Sequence, residues 1–163
     1  MKRIFLVGTP NVGKSVLFNC LTDTYATVSN YPGTTVEMMS GKTDIGGKVY
    51  ELIDTPGLYS LLPITEEERV TRQLLLNGQS HLILHVVDAK NLRRMLPMTL
   101  QLLEAALPVI LVINMMDEAR SLGIKINKGK LEELLNIPVV LTSAARQEGI
   151  RELRRSIHVY DTV

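Results

Sequence analysis

Cysteine is almost missing from this 163-residue chain: there is one, Cys20, and tryptophan is absent. A single thiol excludes an internal disulfide and a thiolate metal cage. Its place in the first helix suits a small buried apolar residue. An excess of one charge is lacking too. With 18 basic and 17 acidic residues the formal net charge is +1, which argues against binding duplex nucleic acid through a broad basic surface. Long hydrophobic runs are also absent. The longest, Leu107 to Ile113, is far short of the roughly 18 residues of a membrane span. Met1-Lys2-Arg3-Ile4 opens like a signal peptide, but its apolar part ends before Gly8 and is too short for one. What remains has ordinary globular composition, 45% apolar and 21% charged, with the character of a soluble intracellular chain. The length suits one domain with a proper core.

Apolar runs alternate with helical periodicities. Strands are expected at Ile4–Val7, Val36–Ile45, Lys48–Ile53, Leu82–Val87, Val109–Ile113 and Val139–Leu141. Gly46-Gly47 between the second and third is a two-residue hairpin signal, so that pair should be antiparallel. The others are separated by helical stretches, which calls for parallel strands with right-handed crossovers. Helices are expected over Lys14–Leu21, Glu66–Asn77, Leu96–Ala106, Lys128–Asn136 and Glu148–Ile157. Thr65 and Glu68 have capping-box spacing, so the run Glu66-Glu67-Glu68 is explained by a helix start rather than by a metal. The expected fold is α/β, a six-stranded, mostly parallel sheet with one antiparallel edge strand and helices on both faces. Ligands of such sheets bind outside the C-terminal strand ends.

The most specific pattern is Gly8-Thr9-Pro10-Asn11-Val12-Gly13-Lys14-Ser15. It matches G-x-x-x-x-G-K-[ST], a phosphate-binding loop, in the required strand–loop–helix context. Its backbone N–H groups can point at phosphate oxygens. Lys14 supplies charge for the β- and γ-phosphates, and Ser15 a hydroxyl for Mg²⁺. The following helix turns its positive end toward the same anion.

Four further elements fall at the same edge. Asp54-Thr55-Pro56-Gly57 follows the third strand: Asp54 can hold a water of the Mg²⁺ shell, and the Gly57 N–H can meet the γ-phosphate. Asn114-Met115-Met116-Asp117 follows the fifth. The Asp117 carboxylate has only acceptors and can take guanine N1–H and N2–H₂ together. Adenine would leave it facing a lone pair, the strong kind of rejection. Ser143-Ala144-Ala145 follows the sixth strand, its small side chains allowing the N–H of Ala144 or Ala145 to reach guanine O6. The last element is a second Mg²⁺ ligand that senses the γ-phosphate. It should lie in Thr24–Thr35, a turn-rich segment read as a mobile loop. Thr34 and Thr35, after Gly33, are the hydroxyl candidates; Thr35, at the strand edge, is preferred. That segment and the stretch after Asp54 should act together as a switch.

Together these elements resemble the P-loop GTPases of the Ras-like superclass. The intervening residues are more specific. Ser29–Glu37, Asp54–Leu61, Glu67–Val70, Asp88–Arg94 and Asn114–Ala119 are similar to the G domain of the ferrous iron transport protein B (FeoB) family, over Met1 to about Ile157. The resemblance implies a Ras-like G domain over residues 1–163, with switch I at about 24–37 and switch II at about 54–68. It implies GTP and GDP as ligands with Mg²⁺, and a cytoplasmic position at the membrane. Helical regulatory and membrane transport domains are expected downstream. It implies no nucleic-acid partner and no membrane insertion of this segment. Other readings are an RNA- or ribosome-associated GTPase, disfavoured by the near-neutral charge, and a sensor that binds GDP and GTP but hardly hydrolyses.

Ras-type enzymes place a water-positioning glutamine after D-x-x-G; here it is Leu58, which can neither donate nor accept. The resemblance implies a cation-activated branch in which Asn11 ligates a K⁺ bridging phosphate oxygens. The catalytic set is then Asn11, Lys14, Thr35 and Gly57, with Ser15, Thr35 and Asp54 (through water) for Mg²⁺. The plainer reading of Asn11 is a turn residue. His81 and His85 share strand parity and are expected to pack on one face, His158 to lie in the tail, and the pairs Met38-Met39 and Met115-Met116 to be packing.

Overall fold

In a computed structural model of the chain, which describes residues 1–23, 25–77 and 80–163, alternation along the strands decides which residues bury where. In β1 (Lys2–Val7), Ile4 and Leu6 face one side and Phe5 and Val7 the other, all fully buried. The first side packs on α1 (Lys14–Leu21) and α6 (Ile150–Thr162) through Leu17, Phe18, Leu153 and Ile157. The second packs on α2 (Glu66–Leu76) and α3 (Leu92–Glu104) through Val70, Leu75, Met98 and Leu102. Both faces of the sheet are thus covered, as a parallel sheet requires.

The sheet has seven strands, not six, in the order β2-β3-β4-β1-β5-β6-β7. β4 (Lys48–Asp54), β5 (Leu82–Asp88), β6 (Val109–Asn114) and β7 (Val139–Leu141) run parallel to β1. β3 (Glu37–Ile45) is antiparallel to β4, joined to it through Gly46 and Gly47, both at positive φ (61° and 83°). That is the backbone of a type I′ turn. The extra strand, β2 (Thr27–Asn30), pairs antiparallel with β3 and takes the edge. It lies in the segment expected to be a mobile loop; Thr24, where that expectation begins, lies outside the described residues. All four β2 residues are exposed, so no hydrophobic alternation marks it. Only pairing with Glu37–Ser40 makes it a strand.

Other boundaries moved for local reasons. α3 starts at Leu92, a turn before the expected Leu96, with Pro97 inside it. Pro97 and Arg93 are exposed, so the carbonyl that loses its N–H partner can turn to water. The short helix α4 (Met116–Ser121) was not expected; α5 (Lys128–Leu135) was. The capping box at Thr65 and Glu68 forms in both directions.

His81 and His85 do not share a face. β5 begins at Leu82, so its alternation does not reach back to His81. His85 is buried on the α3 side against Thr99 (Nδ1–Oγ1 2.9 Å), and burial lowers its pKa to about 4. His81 instead lies at the far end of the sheet, its Nε2 2.7 Å from Asp161 Oδ1 on α6. The helix runs past the expected end at Ile157, and His158 lies within it against the hairpin.

The added turn of α6 carries Asp161, whose side chain is nearly inaccessible. It accepts hydrogen bonds from Lys2 Nζ, Lys48 Nζ (2.8 Å) and Tyr50 Oη (2.9 Å), pinning α6 to the starts of β1 and β4. Hydrogen bonds from Lys2 and Lys48 hold its carboxyl well below the usual range. Burial, then Asp161, pushes the Tyr50 phenol up to about 12. A carboxyl depressed in the folded state stabilises it above the unfolded pKa of about 3.9, and that stability is lost as pH falls below it. Asp161→Asn is therefore expected to cost about 1–3 kcal/mol at pH 7, measured by urea denaturation. The deficit should shrink as pH is lowered from 5 to 3.

Candidate functional site

Asn114 organises the C-terminal edge of the sheet. It ends β6, is 3% exposed, and uses both the nitrogen and the oxygen of its amide. Nδ2 donates to the Val12 carbonyl in the phosphate loop (3.0 Å), and Oδ1 accepts from Thr142 Oγ1 (2.9 Å) and Ala144 N–H (3.0 Å). The loop after β1 and the loop after β7 are thereby fixed to each other. Gly13 is at φ 81°, and a Cβ there would lie 2.3 Å from Asn114 Nδ2. Only glycine fits.

The phosphate loop frames a cavity of about 510 Å³ lined by Thr9, Pro10, Asn11, Gly13, Lys14, Ser15, and Asp54 to Gly57. Gly57 passes so close to Pro10 that a Cβ would sit 2.9 Å from its Cδ. Lys14 Nζ donates to Asp54 Oδ1 and the Thr55 carbonyl, and Ser15 Oγ donates to Asp54 Oδ2 at 3.3 Å. Asn11 is exposed on the rim with φ 69°, a left-handed conformation that asparagine tolerates. A larger cleft, about 1080 Å³ between β7 and α6, contains none of the phosphate-loop residues.

Switch I is not assembled around this cavity. Its contribution to the wall is Val28 and Glu37, with Met39 of β3 just beyond it; Gly33, Thr34 and Thr35 are not among the lining residues. Thr34 Oγ1 donates to the Tyr31 carbonyl (2.9 Å) and accepts from Val36 N–H (3.1 Å), so it builds a turn. Thr35 is exposed beside it. On the other side, Leu58 is fully buried and its N–H donates to the Gly8 carbonyl (3.0 Å).

Asp117 lies at the start of α4. Its N–H donates to Ser143 Oγ (2.9 Å), which brings it beside the Ser143-Ala144-Ala145 loop. The Ala144 N–H is taken by Asn114, so of the two alanines Ala145 is the candidate for a base carbonyl. Met115, at φ 63°, turns the chain into α4 beneath this point. Sequence reasoning missed several partners. Arg146 Nε pairs with Asp117 Oδ2 at 3.4 Å; Lys90 joins Asp88 (3.1 Å) to Glu118 (3.2 Å). Burial works to lower the Lys90 ammonium, but its hydrogen bonds to Asp88 and Glu118 prevail and the net shift is upward. Gln101 Oε1 accepts from Leu61 N–H (2.8 Å) and Ser60 Oγ (3.2 Å), tying switch II to α3. Arg146 and Lys90 each adjoin a recognised motif; nothing local marks Gln101. Cys20 is half-buried, its thiol donating to the Ala144 carbonyl at 3.4 Å.

The family model of Ferrous iron transport protein B matches residues 2–157. The chain belongs to that family. It is 39% identical over 161 residues to an Fe(2+) transporter FeoB of Legionella pneumophila (strain Paris), covering 96% of this chain and 21% of that one. Against the FeoB of Helicobacter pylori (strain ATCC 700392 / 26695) it is 45% identical over 145 residues, covering 89% and 23%. It thus spans about a fifth of the length of these relatives. The G domain of T. maritima FeoB matches its fold with a TM-score of 0.91 at 41% identity, over 99% of each chain. The cytosolic domain of T. maritima FeoB in a GDP form gives 0.93 at 42%, over 98% of this chain and 63% of that one. The fold is therefore the α/β G domain of the FeoB family, with β2 as its seventh strand.

Asn114→Ala would strand the Ala144 N–H and the Thr142 hydroxyl in a buried site and free the Val12 carbonyl. The expected loss is about 2–4 kcal/mol, read by chemical denaturation. Hydrogen exchange should rise at both Val12–Lys14 and Ala144–Ala145, since one amide holds the two loops.

Proposed function

We propose that the chain is a GTP-binding and GTP-hydrolysing domain over residues 1–163. Its switch segments, about 24–37 and 54–68, would couple nucleotide state to the membrane transport domain of a ferrous iron transporter, at the cytoplasmic face. The observation that carries this reading is the joining, by the Asn114 amide, of a phosphate loop to the Asp117–Ala145 loop pair at one sheet edge. The GDP forms described for relatives support the choice of ligand.

The chemistry follows from the residues. Lys14 would exchange Asp54 and Thr55 for phosphate oxygens, with the loop amides and the α1 N-terminus completing the cradle. Ser15 Oγ and Asp54 Oδ2 approach each other at the cavity, and a hydroxyl beside a carboxylate is the hard oxygen set that Mg²⁺ takes. Asp54 would act through a water. Thr35 would add its hydroxyl as switch I closes, which the occupied hydroxyl of Thr34 favours. The Gly57 N–H would meet the γ-phosphate. Asp117 would read the guanine N1–H and N2–H₂, and the Ala145 N–H its O6. Leu58, at the position directly after Gly57, is buried and has no group that could orient water. This supports Asn11, on the rim, as ligand of a K⁺ that would neutralise charge developing on the phosphates.

Isothermal titration should give micromolar or tighter dissociation constants for GDP and GTP, with ADP weaker by at least about 100-fold, because adenine offers Asp117 a lone pair where guanine offers two donors. Asp117→Asn should narrow that gap. Equal affinities for ADP and GDP would overturn the guanine assignment.

Single-turnover hydrolysis should be faster in K⁺ than in Na⁺ at matched ionic strength, where screening of the triphosphate is constant. Asn11→Ala should abolish the difference while leaving GTP affinity within a few fold, because Lys14 and the backbone amides still hold the phosphates. Equal wild-type rates in the two salts would return Asn11 to a turn residue.

A further inference from the structure

The carboxylate proposed to read the base already has a partner. Arg146 Nε stands 3.4 Å from Asp117 Oδ2, one residue beyond the Ala145 amide proposed for the base O6. The Arg146 side chain is 65% exposed and that of Asp117 21%, so the arginine lies over the carboxylate from the solvent side. The two walls of the site are tied a second time: Arg120, on α4, pairs with Glu148, after the β7 loop, at 3.2 Å. Asp117 N–H also donates to Ser143 Oγ.

A guanidinium is a planar array of N–H donors. The edge of guanine that a carboxylate recognises is likewise planar, with N1–H and N2–H₂ side by side. In the structure the guanidinium meets the carboxylate through the single Nε–Oδ2 ion pair at 3.4 Å, whereas guanine would meet it with two donors. We propose that Arg146 is a specificity-determining residue that pairs with the Asp117 carboxylate and competes with the base for it. This rests on the guanine reading given above.

The competition acts on one class of ligand. Guanine must displace Arg146 to reach Asp117, so its affinity is reduced by the strength of the ion pair. With one partner largely exposed, that strength is modest. Adenine makes no use of the carboxylate and gains nothing when the arginine is gone. Removing a positive charge beside a polyanion by itself weakens every nucleotide, so the proposal and simple electrostatics predict opposite signs for GDP.

The experiment is titration of GDP and ADP into the wild type, Arg146→Ala, Arg146→Gln, Asp117→Asn and the Asp117→Asn/Arg146→Ala double variant, at one ionic strength. Arg146→Ala and Arg146→Gln should each bind GDP about two- to five-fold more tightly than wild type, with ADP unchanged or weaker, so that the GDP/ADP ratio rises. On the Asp117→Asn background, loss of Arg146 should give no gain. Weaker or unchanged GDP binding in both arginine variants overturns the proposal, as does a gain that persists without Asp117. Failure of the wild type to prefer GDP would instead overturn the guanine reading itself. Arg146 is exposed and outside the core, and circular dichroism melts would verify that the variants fold.

Discussion

The amide of Asn114 is the constraint on which the rest of the edge depends. A buried amide has donors and an acceptor that must be satisfied, and here one partner lies in the loop after β1 and two in the segment after β7. β6 is buried along its whole length between β5 and β7, so Asn114 has a fixed origin from which to hold both. A buried network of this kind favours one arrangement, since a displacement leaves buried polar groups unpaired. The consequence reaches Gly13, whose missing side chain makes room for the Asn114 amide. In the proposed site, phosphate and base positions are therefore set relative to each other before a ligand arrives.

Charge in the site is compensated in the same anticipatory way. Lys14 and Asp54 are almost inaccessible and satisfy each other; Asp117 has Arg146. A bare charge at either place would be costly, more so at the buried pair. A nucleotide would thus exchange like for like: phosphate oxygens for the Asp54 carboxylate at Lys14, and guanine N–H groups for a guanidinium at Asp117. Affinity is then a difference between two paired states, closely matched at Lys14 and loosely at Asp117. The exchange at Lys14 is open to any nucleotide, whereas that at Asp117 is open only to a base with the guanine donor pattern, whose affinity the arginine reduces.

Much of this was legible in the sequence where the cause is local. The phosphate loop, the Gly46-Gly47 hairpin and the Thr65–Glu68 capping box depend on residues close in the chain, and each formed as expected. The strands β5 and β6 read clearly because both their faces are apolar. What escaped was long-range. β2 has no apolar face and exists by pairing with β3. His81 seemed to belong to β5 by parity, yet its neighbour is Asp161, eighty residues away. The motif pointed to Asn114 as a nucleotide residue, but its bracing of two loops depends on residues distant in the chain. Thr34 and Thr35 could not be told apart by type, and the turn that engages the Thr34 hydroxyl was not foreseen.

The two segments proposed as switches differ in how firmly they are held. Switch II is anchored at intervals. Leu58 is buried with its N–H on the Gly8 carbonyl, Ser60 and Leu61 are bound to Gln101, and Glu68 closes the capping box. Between the last two anchors, Leu62 and Ile64 are 79% and 90% exposed. Motion there is confined to a short span, because moving Leu58 would open the core. Switch I has no such anchor in β2, whose four side chains are exposed and whose backbone pairs with β3 alone. Releasing such an edge strand exchanges its ladder hydrogen bonds for bonds to water and uncovers little apolar surface, which places it at the low end of local stability. In the proposed function, the β2 part of the segment that would travel to bring Thr35 toward the phosphates is thus held loosely, while Val36 beside Thr35 stays buried.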